Sequence, residues 1–369
     1  VKENSTVTYS VGGLILSNSG AVTANYWLSE IYDEEIAEAH RNADIHIHDL
    51  SMLTGYCAGW SLKQLIQEGL GGISGKITSA PAAHLSVLCN QMVNFLGIMQ
   101  NEWAGAQAFS SFDTYLAPFV KVDNLTYREV KKCIEAFIYG VNTPSRWGTQ
   151  APFSNITLDW TVPADLAELP AIVGGKEMDF KYKDCKKEMD MVNRAFLEIM
   201  IEGDANGRGF QYPIPTYSIT RDFDWSDTEN NRLLFEMTAK YGTPYFSNYI
   251  NSDMEPSDVR SMCCRLRLDL RELRKKSGGF FGSGESTGSV GVVTINMPRI
   301  AYLAKDEADF YARLDHMMDI AARSLKIKRG VITKLLNEGL YPYTKRYLGT
   351  FDNHFSTIGL IGMNEVGLN

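Results

Sequence analysis

The sequence predicts an α/β fold with a largely parallel sheet. Apolar residues recur at helical spacing in several stretches, and β-branched, strand-like runs lie between them. Such alternation through a chain is the pattern of strands joined by helical crossovers. With 44% hydrophobic residues, the 369-residue chain can bury a sizeable core, and its length suits one large α/β barrel. No internal repeat, low-complexity tail or clean domain boundary interrupts it.

Taken in order, Leu85, Leu88, Met92, Leu96, Met99 and Trp103 mark one helix, and Val130, Ile134, Phe137 and Val141 a second. Asn155–Leu158 reads as a strand. Met189, Val192, Phe196 and Met200 form the next helical stripe, and Thr216–Ile219 the next strand. Gly291–Met297 is the longest strand signal, followed by a helix through Phe310, Leu314, Met317, Ala321 and Leu325 and a strand over Ser356–Ile361. These stripes read as core faces rather than cofactor boxes. Pro163–Lys176 and Asn251–Asp258 read as surface excursions.

The net charge of −8 argues against wrapping of a nucleic-acid polymer or an anionic membrane, while leaving a single nucleotide open. Lys326-Ile327-Lys328-Arg329 is a local basic spot. The uncharged run Ile77–Asn101 is long enough to span a bilayer, but Pro81, His84, Asn90, Gln91, Asn94 and Gln100 make it a soluble segment. Six scattered cysteines without a CxxC pair, and no secretory signal, place the chain in a reducing cytoplasm.

Four constellations could carry chemistry. Cys263-Cys264 precede a glycine-rich loop, Gly278–Gly284. Adjacent cysteines are too close for an unstrained disulfide and offer half a metal site at best, which leaves packing or sulfur chemistry. The glycines match no GxxxxGK[ST], so a flexible connector is the default. His46-Ile47-His48-Asp49-Leu50 leads to Tyr56-Cys57, and on a strand His46 and His48 point the same way. They form either a polar pocket lip beside a thiol or a hydrogen-bonded pair at a strand end. Taken alone the second is favoured, and a metal would need a third ligand. Asn206–Thr216 is either a turn that admits a substrate or a plain turn. Asn296 lies downstream of the cysteine pair and the glycine loop, and a thiol sheltered in a barrel would suit radical chemistry.

Together, His46–Leu50, Asn206–Thr216, Met262–Arg265, Thr294–Ile300, Tyr343–Tyr347 and Phe355–Glu365 resemble the anaerobic, class III ribonucleotide reductases, in order and over essentially the whole chain. The resemblance implies a ten-stranded α/β barrel of two five-stranded halves with a central finger loop, so that residues 1–369 are one catalytic barrel. The family's methionine-x-cysteine-arginine register puts the thiyl on Cys264 with Met262 beside it. It assigns the facing cysteine to Cys57 and the substrate-contacting asparagine to Asn296, with His46 and His48 at the substrate. The implied reaction converts ribonucleoside triphosphates to deoxyribonucleoside triphosphates. Cys264 abstracts the ribose 3′-hydrogen, and Cys57 protonates the departing 2′-hydroxyl and returns a reducing equivalent.

The family's radical-bearing Arg-Val-x-Gly-Tyr segment, its C-terminal CxxC zinc site and its ATP cone have no counterpart in these residues. The expectation is therefore the N-terminal two-thirds of the barrel, inactive without the missing segment. The implied cofactors are a glycyl radical generated by an S-adenosylmethionine iron–sulfur activase, zinc only in the missing segment, formate as reductant from Met262 and Asn296, and a deoxynucleoside triphosphate effector. The implied partners are the activase and a second copy in a homodimer, for which the charge-poor helices between His84 and Val141 suit an interface. Two alternatives are an acyl-transfer lyase resembling pyruvate formate-lyase, and an inactive nucleotide-binding regulator.

Overall fold

The computed structural model describes residues 10–143, 151–259 and 286–368. Helices α1 (Val11–Tyr26) and α2 (Glu34–Arg41) precede strands β1 (Ile45–Ile47) and β2 (Cys57–Trp60). Then come α3 (Leu62–Glu68), α4 (Leu85–Met99), β3 (Gln107–Phe109), α5 (Phe112–Val122), α6 (Tyr127–Asn142) and β4 (Ser154–Leu158). Next are α7 (Ala164–Ala167), β5 (Pro170–Val173), β6 (Lys176–Lys181), α8 (Lys186–Glu202), β7 (Ile214–Ile219), α9 (Glu229–Tyr241) and β8 (Tyr245–Asn248). The chain closes with β9 (Gly288–Asn296), α10 (Met297–Leu303), α11 (Glu307–Asn337), α12 (Pro342–Tyr347), β10 (Phe355–Ile361) and α13 (Met363–Val366). It forms two compact units, one of Val1–Cys57, Glu102–Gly105 and Gly288–Asn369, the other of Ala58–Asn101 and Ala106–Thr287.

The second unit is the α/β pattern the alternation predicts. Strands β2, β3, β4, β7 and β8 lie side by side in that order and all pair in parallel, with Ala58 opposite Gln107, Gln107 opposite Ser154, Asn155 opposite Ile214 and Thr216 opposite Tyr245. Every residue of β3 and β4 is buried, as expected where helices cover both faces. The stripes on α4, α6 and α8 are core faces: Leu88, Met92, Leu96, Val130, Ile134, Phe137, Met189, Val192 and Phe196 are all buried. Their apolar surface is thus already spent inside the unit. Helix α4 stops at Met99, so Trp103 is not on it. The surface excursion expected over Pro163–Lys176 is corrected: it contains α7 and the start of the antiparallel β5–β6 hairpin, and the apolar Ala171, Ile172 and Val173 are buried.

A buried carboxylate ties this unit together. Asp113 on α5 accepts hydrogen bonds from the backbone N–H of Asp159 (2.8 Å) and Trp160 (2.9 Å), and from Asn193 Nδ2 on α8 (2.9 Å). Tyr217 on β7 donates to Asn193 Oδ1 at 3.0 Å. Trp160 has φ +64°, an unusual backbone for a tryptophan, and the carboxylate holds its N–H there.

In the first unit β9 is central. It pairs with β1 antiparallel, Ile45 opposite Ile295 and Ile47 opposite Val293, and with β10 in parallel, Ile358 opposite Val293. Ile45, Ile47, Val293 and Ile295 join Trp27, Ile36, Ile320 and Leu325 in one core. The expected α/β fold is present. Among the described residues this unit supplies three strands to its sheet, and the finger-loop segment lies outside them. Glu102, from the short piece Glu102–Gly105, accepts from the N–H groups of Tyr343 (3.0 Å) and Thr344 (2.7 Å) at the start of α12, and Trp103 Nε1 donates to Thr344 Oγ1 at 2.9 Å. A carboxylate at a helix N-terminus is favoured by the exposed N–H groups there.

His354 is buried beside Trp103 (ring centroids 5.4 Å) and Phe351 (5.9 Å). Burial, then the nearby Arg329 charge, lowers its pKa from 6.5 to about 3. The folded state therefore favours the neutral ring. Its stabilisation is complete above the unfolded value of 6.5 and is lost as pH falls from there toward 3. We expect stability to fall by up to about 1.4 kcal/mol per pH unit in that window from this group. Urea melts at pH 7 and pH 5 should show that His354→Phe loses less stability on acidification than the parent.

Candidate active site around Cys57

The backbone register of β9 positions this site. His48 N–H donates to Val292 O and Tyr56 N–H to Ser289 O, both at 3.1 Å, so the loop between them closes over the four residues Ser289–Val292 of β9. Asp49 turns that loop with φ +57°. Cys57 follows at 0% exposure. Its wall is Gly105, where a Cβ would stand 2.7 Å from Cys57 Sγ and 2.9 Å from Tyr56 O. No side chain fits there, and Gly105 N–H donates to Tyr56 O at 2.6 Å.

Opposite Gly291 of β9 lies Lys328 of α11, buried at 4% exposure. A Cβ on Gly291 would meet Lys328 Cδ at 2.9 Å and Nζ at 3.2 Å. Burial lowers the Lys328 pKa from 10.5 to about 8, against the opposing pull of Asp49 and Cys57. The basic spot at 326–329 was the only sign of Lys328 in the sequence, and nothing there separated a buried ammonium from a solvated one.

His46 and His48 do point the same way, with ring centroids 4.6 Å apart. His48 Nε2 lies 2.8 Å from Thr294 Oγ1, and its ring is 6.3 Å from that of Tyr56, next to Cys57. His40 extends the row, 5.4 Å from His46, and its Nδ1 accepts from Ile47 N–H at 3.1 Å. This row is a polar edge leading to the thiol. Among the described residues no group of three or more His, Cys, Asp or Glu side chains is placed to hold a metal ion.

Asn296 is not beside Cys57. Its Oδ1 caps α10 by accepting from Arg299 N–H at 3.3 Å, and its Nδ2 donates to Ala43 O at 2.9 Å. Its own N–H donates to Asp44 O at 3.0 Å. Ser289, which meets Tyr56, is seven residues away along β9, about 20 Å at the rise of a strand. The Asn-Met-Pro-Arg run is a strand end followed by a proline-started helix, and the asparagine is its N-cap. Met262, Cys263 and Cys264 lie outside the described residues.

The family model described as anaerobic ribonucleoside-triphosphate reductase matches residues 3–369. The chain belongs to this family. Curated anaerobic ribonucleoside-triphosphate reductases from Haemophilus influenzae and Escherichia coli are each 22% identical to it, over 83% of this chain and 44% of theirs. The chain thus spans under half the length of those reductases. A crystal structure of the anaerobic ribonucleotide reductase from Thermotoga maritima, in complex with dATP and CTP, superposes with a TM-score of 0.74 at 23% identity, covering 97% of this chain and 61% of that one. The fold is therefore that of the anaerobic reductases. No helix among the described residues of this family member is long and apolar enough to cross a membrane.

Proposed function

We propose that the chain carries a catalytic part of an anaerobic ribonucleotide reductase, converting ribonucleoside triphosphates to deoxyribonucleoside triphosphates in the cytoplasm. The observation that supports this best is Cys57, a thiol wholly withdrawn from water at the end of a polar histidine row, in a chain whose family model spans residues 3–369. Exclusion of water protects reactive intermediates, and close positioning supports hydrogen transfer. In this reading residues 1–369 are one catalytic barrel portion, and the radical-bearing segment and its zinc site lie elsewhere. The glycyl radical, made by an S-adenosylmethionine iron–sulfur activase, supplies the oxidising equivalent. Cys264 takes the ribose 3′-hydrogen, and Cys57 gives its proton to the departing 2′-hydroxyl, which leaves as water. His46 and His48 line the approach, and Met262 stands beside Cys264.

Formate is the proposed reductant. That choice rests on Met262 together with Asn296, which is also the proposed substrate contact, and carbon dioxide released from labelled formate in step with deoxynucleotide would test it. A homodimer that binds a deoxynucleoside triphosphate effector is also proposed. Since the stripes between Leu85 and Val141 are buried within one chain, an interface there would use the exposed Val87 and Tyr139. Sedimentation with and without dATP tests this: a monomer unmoved by nucleotide would contradict it. The family match gives no support to the lyase or the inactive regulator.

For the thiyl position, Cys264→Ser in the complete enzyme should abolish turnover, whereas Cys263→Ser should retain substantial activity. Product formation by chromatography decides between them, and a dead Cys263→Ser with an active Cys264→Ser moves the thiyl by one residue.

A further inference from the structure

We propose that Lys328 is a positioning residue for Cys57, its ammonium group balancing the thiolate left when Cys57 gives up its proton. The inference rests on the reading of Cys57 as a reacting thiol and adds a residue to that site. Three features of the structure meet here. Lys328 is buried, and it reaches its place only because Gly291 of β9 has no side chain: a Cβ there would sit 2.9 Å from Lys328 Cδ. The β9 register puts His48 against Val292 and Tyr56 against Ser289, so Asp49 and Cys57 each follow a residue bonded to β9 within two positions of Gly291. The titratable groups that act on Lys328 are Asp49, from the loop after β1, and Cys57, from β2; β9 presents glycine at that point.

A buried ammonium without opposite charge is costly, and buried charges are found paired. Asp49 supplies one anion at rest. When Cys57 passes its Sγ proton to a leaving hydroxyl, a second negative charge forms near the same ammonium, and Lys328 is a buried cation within electrostatic reach of both. No electron transfer is involved: one S–H bond breaks, the proton leaves with water, and the ammonium keeps its three protons. By contrast, burial, with Glu188 and Asp184 adding to it against Lys121, pushes the Cys185 thiol up to about 12, and burial with Cys133 nearby raises that of Cys89.

The test needs no nucleotide. In the 369-residue chain, the absorbance of Cys57 thiolate at 240 nm is followed against pH as the difference between the parent and Cys57→Ser. The same difference is then taken in a Lys328→Met background. The expected result is a thiolate population at pH 8 that drops by about tenfold or more when Lys328 is replaced, equivalent to a midpoint one pH unit higher. An unchanged midpoint overturns the proposal and leaves Lys328 as a partner of Asp49 alone. If Lys328→Met does not fold by circular dichroism, the parent decides: Cys57 ionising before Cys89 and Cys185, each identified by its own serine variant, supports the proposal, and Cys57 ionising with or after them overturns it. Normal turnover of Cys57→Ala in the complete enzyme, together with a normal Lys328-dependent shift, would count against the reductase reading of Cys57 and not against this link.

Discussion

Replacing Cys57 by alanine in the complete, activated enzyme is expected to give a folded protein that binds nucleotide, forms the glycyl radical and makes no deoxynucleotide. The stability cost is small, on the order of 1 kcal/mol, because only one sulfur atom leaves the site. The void would open against Gly105, whose missing side chain is the reason the sulfur fits. A proton donor and reductant cannot be spared, so turnover should fall to background. Radical yield by electron paramagnetic resonance and nucleotide binding by calorimetry separate loss of chemistry from loss of fold. Normal turnover in this variant would return Cys57 to the core.

The largest expected effect on stability is at Asp113. Alanine there removes an acceptor from three backbone N–H groups, those of Thr114, Asp159 and Trp160, and from Asn193, all in the buried interior of the second unit. Each donor left without a partner costs about 1–3 kcal/mol, so a total on the order of 3–5 kcal/mol is expected. Trp160 loses the bond that holds its left-handed backbone, and Tyr217 keeps only an Asn193 that has itself lost its anchor. Urea denaturation should show a markedly lower midpoint for Asp113→Ala. Asp113→Asn should be milder, since its amide oxygen can still accept some of these bonds. A midpoint unchanged in Asp113→Ala would mean that the carboxylate is replaced by water.

Much of this architecture was legible in the residues. The periodic helices α4, α6 and α8 and the β-branched β9 announce themselves because each buries a regular stripe. Strands β1, β2 and β3 have only three or four residues; β1 alternates but is too short to stand out, and β2 and β3 show no alternation because every residue in them is buried. The hairpin after α7 was hidden because its short apolar run is bounded by Pro163, Pro170 and the Gly174-Gly175 turn, which read as punctuation. At the site, the common direction of His46 and His48 follows from strand geometry. The capping role of Asn296 was also written in the sequence: the proline two residues on marks the first turn of a helix. Cys57, Gly105 and Lys328 come together from positions with no shared local pattern, so nothing short of the fold could reveal that meeting.

The make-up of the first unit has a consequence for how the chain is born. Its β1 lies opposite β9, Ile45 against Ile295, with the whole of the second unit encoded between them. A ribosome that has released β1 must therefore add about 250 more residues, on the order of tens of seconds of synthesis, before its partner strand emerges. Meanwhile the five parallel strands of the second unit are complete and can fold on their own sequence. Strand β1 with its histidine row waits without β9 through that interval, its edge open to other chains. Expression at lower temperature or with holdase chaperones should accordingly raise soluble yield through this segment first, and protease sensitivity of stalled nascent chains before residue 288 should concentrate in residues 10–57.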